Sequence, residues 1–286
     1  VVQMFHTLGI MKNRIAQRPD EREPDIRVRI ETELMHAADR LILATPAEQA
    51  QLQWLYRVET VSASIIPPGV DLNVFYPRPG AESKRAIHAP ADTFLLLFVG
   101  RIEALKGIDT LLRAVGVLRA RGTCDCGQLA LAIIGGDPDL PPERQTDEMR
   151  RVMALRDELG LSELVTFLGK QDQDALPEYY TAADCVIMPS HYESFGMVAL
   201  EAMACGTPVI ASEVGGLAFL VQDGQTGFTV PDQDPEALAD RICMLISDRD
   251  LKARMSAQAR AHARNYGWPA IADRIMDVYQ GLGRSG

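Results

Sequence analysis

Long apolar runs are missing from this chain, and so is an excess of positive charge. No stretch approaches the roughly 20 consecutive apolar residues that a membrane-spanning helix needs. The 29 Lys and Arg residues are outnumbered by 39 Asp and Glu residues, which gives a formal net charge of −10. An acidic chain is a poor candidate for binding nucleic acid or an anionic membrane surface. We therefore expect no nucleic-acid partner and no transmembrane segment, although a local basic pocket can still hold a small anion.

Cysteine is also scarce, and its placement bears on compartment and metal binding. The five are Cys124, Cys126, Cys185, Cys205 and Cys243. An odd, scattered set, largely inside apolar segments, is typical of the reducing cytoplasm. Cys124 and Cys126 form a CxC sequence in a predicted loop, but the second ligand pair of a zinc site is missing. We interpret them as loop thiols and expect a cytoplasmic protein.

From residue 94 onward, short apolar segments alternate with amphipathic ones. Strands are predicted at 94–100, 129–136, 165–169, 185–190, 208–212 and 227–230. Helices are predicted at 107–122, 142–160, 174–183, 196–206, 235–247 and 250–265. Strands of continuous apolar residues separated by helices indicate a parallel sheet covered on both faces. The predicted fold class is doubly wound α/β, in which ligands bind at the carboxyl ends of the strands.

Residues 1–75 are interpreted as part of another unit. The pattern predicts a helix at about 25–38, a strand at 41–45, a helix starting at Pro46 behind a Thr cap, and a strand at 61–66. Residues 66–77 have the character of an interdomain linker. Two strands and two helices are too few for a complete doubly wound domain, so we expect the front of this first domain to be missing from the chain.

The segment HYESFGMVALEAMACGTPVIASEVGG (191–216) is the most informative. Glu201 lies in an apolar helical segment, where burying a carboxylate is costly unless it has partners. A ribose diol supplies two such hydroxyl donors; the alternative is a surface glutamate. Ser194, Phe195, Gly196 and Met197 open the same helix, whose free N–H groups attract phosphate or sugar oxygens. Taken alone, this start is also compatible with a simple helix cap.

Two cations follow the first strand of the alternating region, in VGRIEALKG (99–107). Arg101 and Lys106 lie at the expected ligand edge of an acidic protein, where they suit a diphosphate. They would also stabilise charge that grows on a diphosphate leaving group. An isolated pair of this kind is more often two solvated loop cations. The chain has neither a Walker lysine motif nor GxGxxG, which gives a kinase or a dehydrogenase little support.

Together these segments resemble the retaining family-four glycosyltransferases of the GT-B fold. The resemblance rests on Glu193 and Glu201 as E-x7-E, on G-R-x4-K-G at 100–107, on the IPPGVD linker and on EAMACGTPVIAS. It implies two Rossmann-like domains facing a cleft. The incomplete acceptor-side domain would span 1–75, the nucleotide-sugar domain 76–265, and a closing helix 266–286, with Trp268 and Tyr279 as packing residues. The linker would act as the hinge of domain closure.

The resemblance also implies a role for each matching residue. Arg101 and Lys106 would hold the donor diphosphate and Glu201 the ribose. Glu193 would bind donor-sugar hydroxyls, with the backbone of Ser194, Phe195, Gly196 and Met197, while Val198 would offer its N–H group to phosphate. The base would lie near Leu168 and Lys170. No metal and no cofactor is expected, because the basic pair supplies the electrostatic stabilisation.

FHTLGIMKN (5–13) resembles the subgroup of this family that contains sucrose-phosphate synthase and an inositol-phosphate glycosyltransferase. The resemblance implies that His6 lies beside the reacting sugar carbon; the alternative is a capping or core histidine in a loop. Thr7 and Arg27, and more weakly Lys12, match positions that bind the acceptor phosphate.

The expected function is retaining transfer of a hexosyl group from a UDP-sugar to an acceptor hydroxyl. UDP-glucose and UDP-N-acetylglucosamine remain open as donors, as do a sugar phosphate, inositol phosphate or another hydroxyl compound as acceptor. One alternative is a catalytically inactive nucleotide-sugar-binding fragment. Another is a nucleotide-sugar epimerase of the same fold.

Overall fold

Two parallel sheets organise the protein. A computed structural model describes residues 1–16, 22–58, 62–122 and 129–283. The smaller sheet has the order β1-β2-β3, with β1 (Val2–Met4), β2 (Arg40–Leu43) and β3 (Ala63–Ile65). The larger sheet has the order β6-β5-β4-β7-β8-β9, with β4 (Phe94–Val99), β5 (Leu129–Ile134), β6 (Val165–Gly169), β7 (Cys185–Met188), β8 (Val209–Ser212) and β9 (Gly227–Val230). All the strand pairs are parallel, which confirms the predicted fold class.

Helices connect and cover these strands. They are α1 (Gly9–Ile15), α2 (Asp25–Ala37), α3 (Pro46–Tyr56), α4 (Gly80–Ala86), α5 (Ile108–Arg121), α6 (Asp147–Glu158), α7 (Leu176–Ala182), α8 (Met197–Ala204), α9 (Leu217–Leu220), α10 (Pro235–Ser247), α11 (Arg249–Ala263) and α12 (Trp268–Gly283). Helix α6 begins later than the predicted residue 142. The Thr146 hydroxyl accepts a hydrogen bond from the Met149 N–H group at 3.1 Å, and this cap sets the start. Within the described ranges, no helix has the length and apolar character that crossing a membrane requires.

The strand order of the larger sheet determines where a ligand can bind. From β4 the chain moves outward to β5 and β6, then returns to the other side of β4 for β7, β8 and β9. Loops that leave β4 and β7 therefore diverge, and the crevice between them is where doubly wound sheets bind ligands. One face of the sheet packs on α5, α6 and α10, and the other on α7, α8 and α11.

The first unit contains more regular structure than predicted. Strand β1 and helix α1 precede α2, so the expected two strands and two helices become three of each among residues 1–16, 22–58 and 62–75. Strand β1 pairs with β2 from Val2 to Met4, and three residues are too few to show a strand period. Helix α4, just after the predicted linker, was also not predicted.

Helix α12 packs on the smaller sheet. Ile271 lies in a cluster with Ile42 and Ile66, and Arg274 donates a hydrogen bond to the Ile65 carbonyl at 2.5 Å. Tyr279, expected as a packing residue, is 52% exposed. Trp268 is 50% exposed, with one face of its ring against Gly69.

The structure shows the surroundings of Cys185 and Cys205. Cys185 and Cys205 are buried free thiols, in agreement with their apolar surroundings in the sequence. Cys124 and Cys126 lie outside the described residues.

Candidate functional site

A cavity of about 490 Å³ lies between the two sheets, at the carboxyl ends of β4 and β7. We call it the central cavity. His6 and Thr7 line it from the first unit, and the loop after β4 contributes Arg101 and Lys106. The opposite wall is the segment from Glu193 to Val198, at the start of α8. The structure therefore brings together predicted residues from three separate stretches of sequence.

Lys106 and Glu193 form the polar centre of this cavity. The Lys106 ammonium donates to the Glu193 carboxylate at 2.7 Å, across 87 positions of sequence. Gly107 positions the lysine, since its φ of 62° is left-handed and an added Cβ would lie 1.9 Å from the Pro189 carbonyl oxygen. The loop after β4 therefore rests directly on the backbone that follows β7, and only glycine permits this approach.

The start of α8 presents backbone donors to the central cavity. Gly196 precedes the helix, and no side chain caps its first N–H groups. Met197 and Val198 both line the cavity, so the positive end of the helix dipole faces the space beside Lys106. A helix start without a side-chain acceptor, next to an ammonium group, is suited to an anion such as a diphosphate.

Gly216 supports this wall and was not predicted as a functional residue. Its N–H group donates to the Glu193 carbonyl at 2.8 Å. A Cβ at this position would lie 2.4 Å from the Ser194 carbonyl oxygen, so a side chain would displace the segment that carries Glu193. The Gly215–Gly216 pair at the end of the 191–216 segment was the available sequence signal.

Arg101 lies at the rim of the cavity. Its side chain is 79% exposed and pairs with Glu103 at 2.6 Å. Arg101 also lines a neighbouring cavity of about 270 Å³, which we call the side cavity, together with Lys170. Lys170 pairs there with Asp137 at 2.8 Å. The Leu168 carbonyl accepts a hydrogen bond from Gln171 at 2.8 Å.

Glu201 lies one turn deeper in α8 and does not line the central cavity with Glu193. Its carboxylate accepts a hydrogen bond from the Tyr180 hydroxyl at 2.7 Å. Burial raises the pKa of Glu201, and the Tyr180 bond partly opposes this shift. The surface-glutamate interpretation is thus wrong. Tyr180 was not predicted, because the sequence of α7 does not show whether Tyr179 or Tyr180 points towards α8.

His6 connects the central cavity to a small cleft that also contains Glu48 and Tyr192. Glu48 accepts a hydrogen bond from the Ala44 N–H group at 2.7 Å, while the Thr45 hydroxyl accepts one from the Glu48 N–H group at 3.1 Å. This is a reciprocal cap at the start of α3. Burial raises the pKa of Glu48 to about 7. The sequence TPAE contained the signal for this cap, but not for the burial.

The predicted acceptor-side cations converge on one carboxylate. Lys12 pairs with Glu23 at 2.6 Å and Arg27 pairs with it at 2.7 Å. Arg27 also donates to the Thr7 carbonyl at 2.7 Å and pairs with Glu31 at 2.8 Å. The Glu31 bond raises the pKa of Arg27. Thr7, Lys12 and Arg27 therefore form one cluster, in which both cations are already paired with carboxylates.

Over residues 1–16, 22–58, 62–122 and 129–283, no group of three or more His, Cys, Asp or Glu side chains is placed to hold a metal ion.

The sequence matches a family model and several known proteins. The model of the family described as glycosyl transferases group 1 matches residues 81–262. The chain is 39% identical over 287 residues to D-inositol 3-phosphate glycosyltransferase from Thermomonospora curvata, covering 98% of this chain and 66% of that protein. A second such protein, from Thermobispora bispora, is also 39% identical, and 64% of its length is covered. The chain thus spans about two thirds of the length of these relatives.

Solved structures agree with this match. Sucrose-phosphate synthase from Thermosynechococcus elongatus superposes with a TM-score of 0.86 at 36% identity, over 100% of this chain and 68% of that one. HepE from Anabaena, solved in complex with UDP and glucose, gives a TM-score of 0.79 at 24% identity, over 98% and 71%. The latter likeness shows the fold alone. The architecture is that of the GT-B fold expected from the sequence.

Proposed function

Because the chain belongs to the group 1 glycosyl transferases, we propose that it transfers a hexosyl group from a nucleotide-sugar to an acceptor hydroxyl, with retention of configuration. The observation that carries this proposal is the Lys106–Glu193 pair at the start of α8. A cation and uncapped helix N–H groups lie there beside a carboxylate. Such a site can hold a diphosphate and a polyhydroxyl sugar side by side.

Donor binding would exchange internal contacts for contacts with the ligand. Without a ligand, Lys106 and Glu193 satisfy each other at 2.7 Å. In the donor complex, Lys106, Arg101 and the Val198 N–H group would hold the diphosphate. Glu193 would then accept hydrogen bonds from sugar hydroxyls, with the backbone from Ser194 to Met197 around the ring. A carboxylate and an ammonium are thereby placed in advance, so little reorganisation is needed when the donor binds.

The same cations would act on the chemical step. As the bond from the sugar carbon to the diphosphate breaks, negative charge grows on the departing oxygen. Lys106, Arg101 and the dipole of α8 stabilise this charge more strongly in the transition state than in the bound donor. This protein-supplied stabilisation is the reason we propose a reaction without metal or cofactor.

The nucleoside would lie beyond the diphosphate. Glu201, held by Tyr180, would bind the ribose diol, which requires its carboxylate to turn partly towards the donor. The base would occupy the side cavity, where Lys170 contributes to the wall. The Leu168 backbone would contribute to its binding. We propose uracil as the base, in keeping with the resemblance of the front segment, and UDP-glucose or UDP-N-acetylglucosamine as donor.

The acceptor would bind from the first unit. His6 lines the central cavity opposite Glu193 and would orient the sugar at its reacting carbon. An acceptor phosphate would replace Glu23 between Lys12 and Arg27, with Thr7 beside it. The names of the relatives, which include inositol-phosphate and sucrose-phosphate enzymes, support a phosphorylated polyol or sugar as acceptor.

Calorimetric titration with UDP-glucose and UDP-N-acetylglucosamine tests this proposal. We expect the Lys106→Gln variant to bind the donor at least about tenfold more weakly, because a charge-assisted contact to phosphate is lost. Arg113→Gln removes the same charge from an exposed position of α5 and should bind as the parent does. Equal affinity of both variants and the parent would contradict the proposal.

A turnover assay separates the remaining alternatives. Release of UDP with a glycosylated inositol phosphate or sugar phosphate is the expected result. Donor binding without any product would identify a nucleotide-sugar-binding unit that is catalytically inactive. An epimerised donor in the absence of acceptor would identify the epimerase.

A further inference from the structure

A different cavity lies at the other end of the strands of the larger sheet, away from the central cavity. Its volume is about 410 Å³. It is lined by Asp184, immediately before β7, and by Thr207 and Pro208, immediately before β8. It therefore opens at the amino ends of these strands, whereas the central cavity lies at the carboxyl end of β7. We call it the amino-edge cavity.

The amino-edge cavity is rich in cations. Its lining includes Arg78, Lys84, Lys252 and Arg260. Among the lining residues that the structure describes, Asp184 is the single carboxylate. The chain as a whole has a formal net charge of −10, so this local excess of positive charge is opposite in sign to the protein. A concave site of this kind attracts small anions.

Asp184 holds two of these cations at the cavity wall. Its carboxylate accepts from the Lys84 ammonium at 3.2 Å and pairs through its other oxygen with Lys252. It also accepts the Leu95 N–H group at 2.9 Å, which ties the cluster to β4. The Lys84 ammonium also donates to the Thr93 carbonyl at 2.6 Å. One carboxylate shared between two ammonium groups leaves net positive charge at the cavity wall.

Arg260 is the cation that remains available. Within the described part of the chain it takes part in no ion pair, while Arg78 pairs with Glu178. Lys252, Ser256 and Arg260 recur at every fourth position of α11 and all three line the cavity, so they lie on one face of the helix. The helix thus presents an ammonium, a hydroxyl and a guanidinium in one row.

We propose that the amino-edge cavity binds the phosphate group of a small phosphorylated molecule, with Arg260 donating to the phosphate beside Lys84 and Lys252. Guanidinium and ammonium groups together recognise phosphate through charge-assisted hydrogen bonds. Ser256 adds a hydroxyl group to the lining, which suits a ligand that itself carries hydroxyls. The volume lies within the roughly 300–1,000 Å³ of small-molecule sites. This site is separate from the proposed transfer reaction and does not depend on it.

Calorimetric titration of the whole chain with inorganic phosphate and with glycerol 3-phosphate tests the site, at constant ionic strength maintained by chloride. We expect saturable binding, and we expect Arg260→Gln to weaken it about fivefold or more, since one charged hydrogen bond at a partly solvated position is lost. Arg254→Gln is the matched control, because Arg254 is exposed on the same helix and is not part of the cavity lining. Thermal melts verify that both variants are folded.

A parallel titration of Lys106→Gln identifies which cavity the phosphate occupies. Weaker binding in Arg260→Gln supports the amino-edge cavity; a separate binding event that Lys106→Gln alone weakens belongs to the central cavity. If Lys106→Gln weakens phosphate binding and Arg260→Gln weakens no binding event, the ligand lies in the central cavity and the proposal is overturned. No saturable binding to the parent, or equal affinity of the Arg260→Gln and Arg254→Gln variants, would overturn it as well.

Discussion

Replacement of Glu48 by glutamine should change how the stability of the protein depends on pH. The Glu48 side chain is buried at the start of α3 and accepts the Ala44 N–H group at 2.7 Å. Glutamine has nearly the same shape and keeps an oxygen that can accept this bond. The substitution therefore removes the ionisable group while retaining the packing and the cap.

The sign of the effect follows from the direction of the pKa shift. Burial raises the pKa of Glu48 from its ordinary value of 4.5 to about 7. The folded protein therefore favours the protonated carboxyl, and this contribution to stability is complete below pH 4.5 and is lost as the pH rises through about 7. The difference between the two pKa values corresponds to about 3 kcal/mol in the free energy of unfolding.

Urea denaturation at pH 5 and pH 8 measures this contribution. Glu48→Gln should be close to the parent at pH 5 and more stable by up to about 3 kcal/mol at pH 8. Glu33→Gln is the control, because it removes the same charge from a side chain that is 71% exposed. A Glu48→Gln variant that gains nothing at pH 8, or gains no more than Glu33→Gln, would refute the reasoning.

The remaining predictions concern the two ends of the proposed reaction. Tyr180→Phe removes the hydrogen bond to Glu201, so it should lower the free energy of unfolding by about 1–3 kcal/mol and weaken UDP-glucose binding. Urea denaturation measures the first effect and calorimetry the second. Unaltered donor affinity would show that Glu201 does not contact the donor. Arg27→Ala should raise the Michaelis constant for a phosphorylated acceptor and leave that for the donor unchanged, as measured by initial rates; an unaltered acceptor constant would remove Arg27 from the acceptor site.

Much of the larger sheet could be predicted because its signals are local. Continuous apolar segments flanked by turn residues mark strands that are buried on both faces, as β7 at Cys185–Met188 illustrates. Helix α8 was predicted from the apolar residues between two glycines. By contrast, β1 and α1 are short, and α1 is stabilised by a distant contact, since the Gly9 N–H group donates to Glu31. No nearby residue pattern reports such a contact.

The candidate site likewise has a part that the sequence predicts and a part that only the tertiary structure shows. The amino-acid sequence alone was enough to predict which segments form the candidate site, because the residue types and their spacing around Arg101, Lys106, Glu193 and Glu201 are properties of short stretches. Only the tertiary structure decided that Lys106 pairs with Glu193 across 87 positions, and that Tyr180 bonds to Glu201. Spacing along a chain determines which face of a helix or strand a side chain occupies, whereas the identity of its partner depends on how distant elements pack and on how much water they exclude.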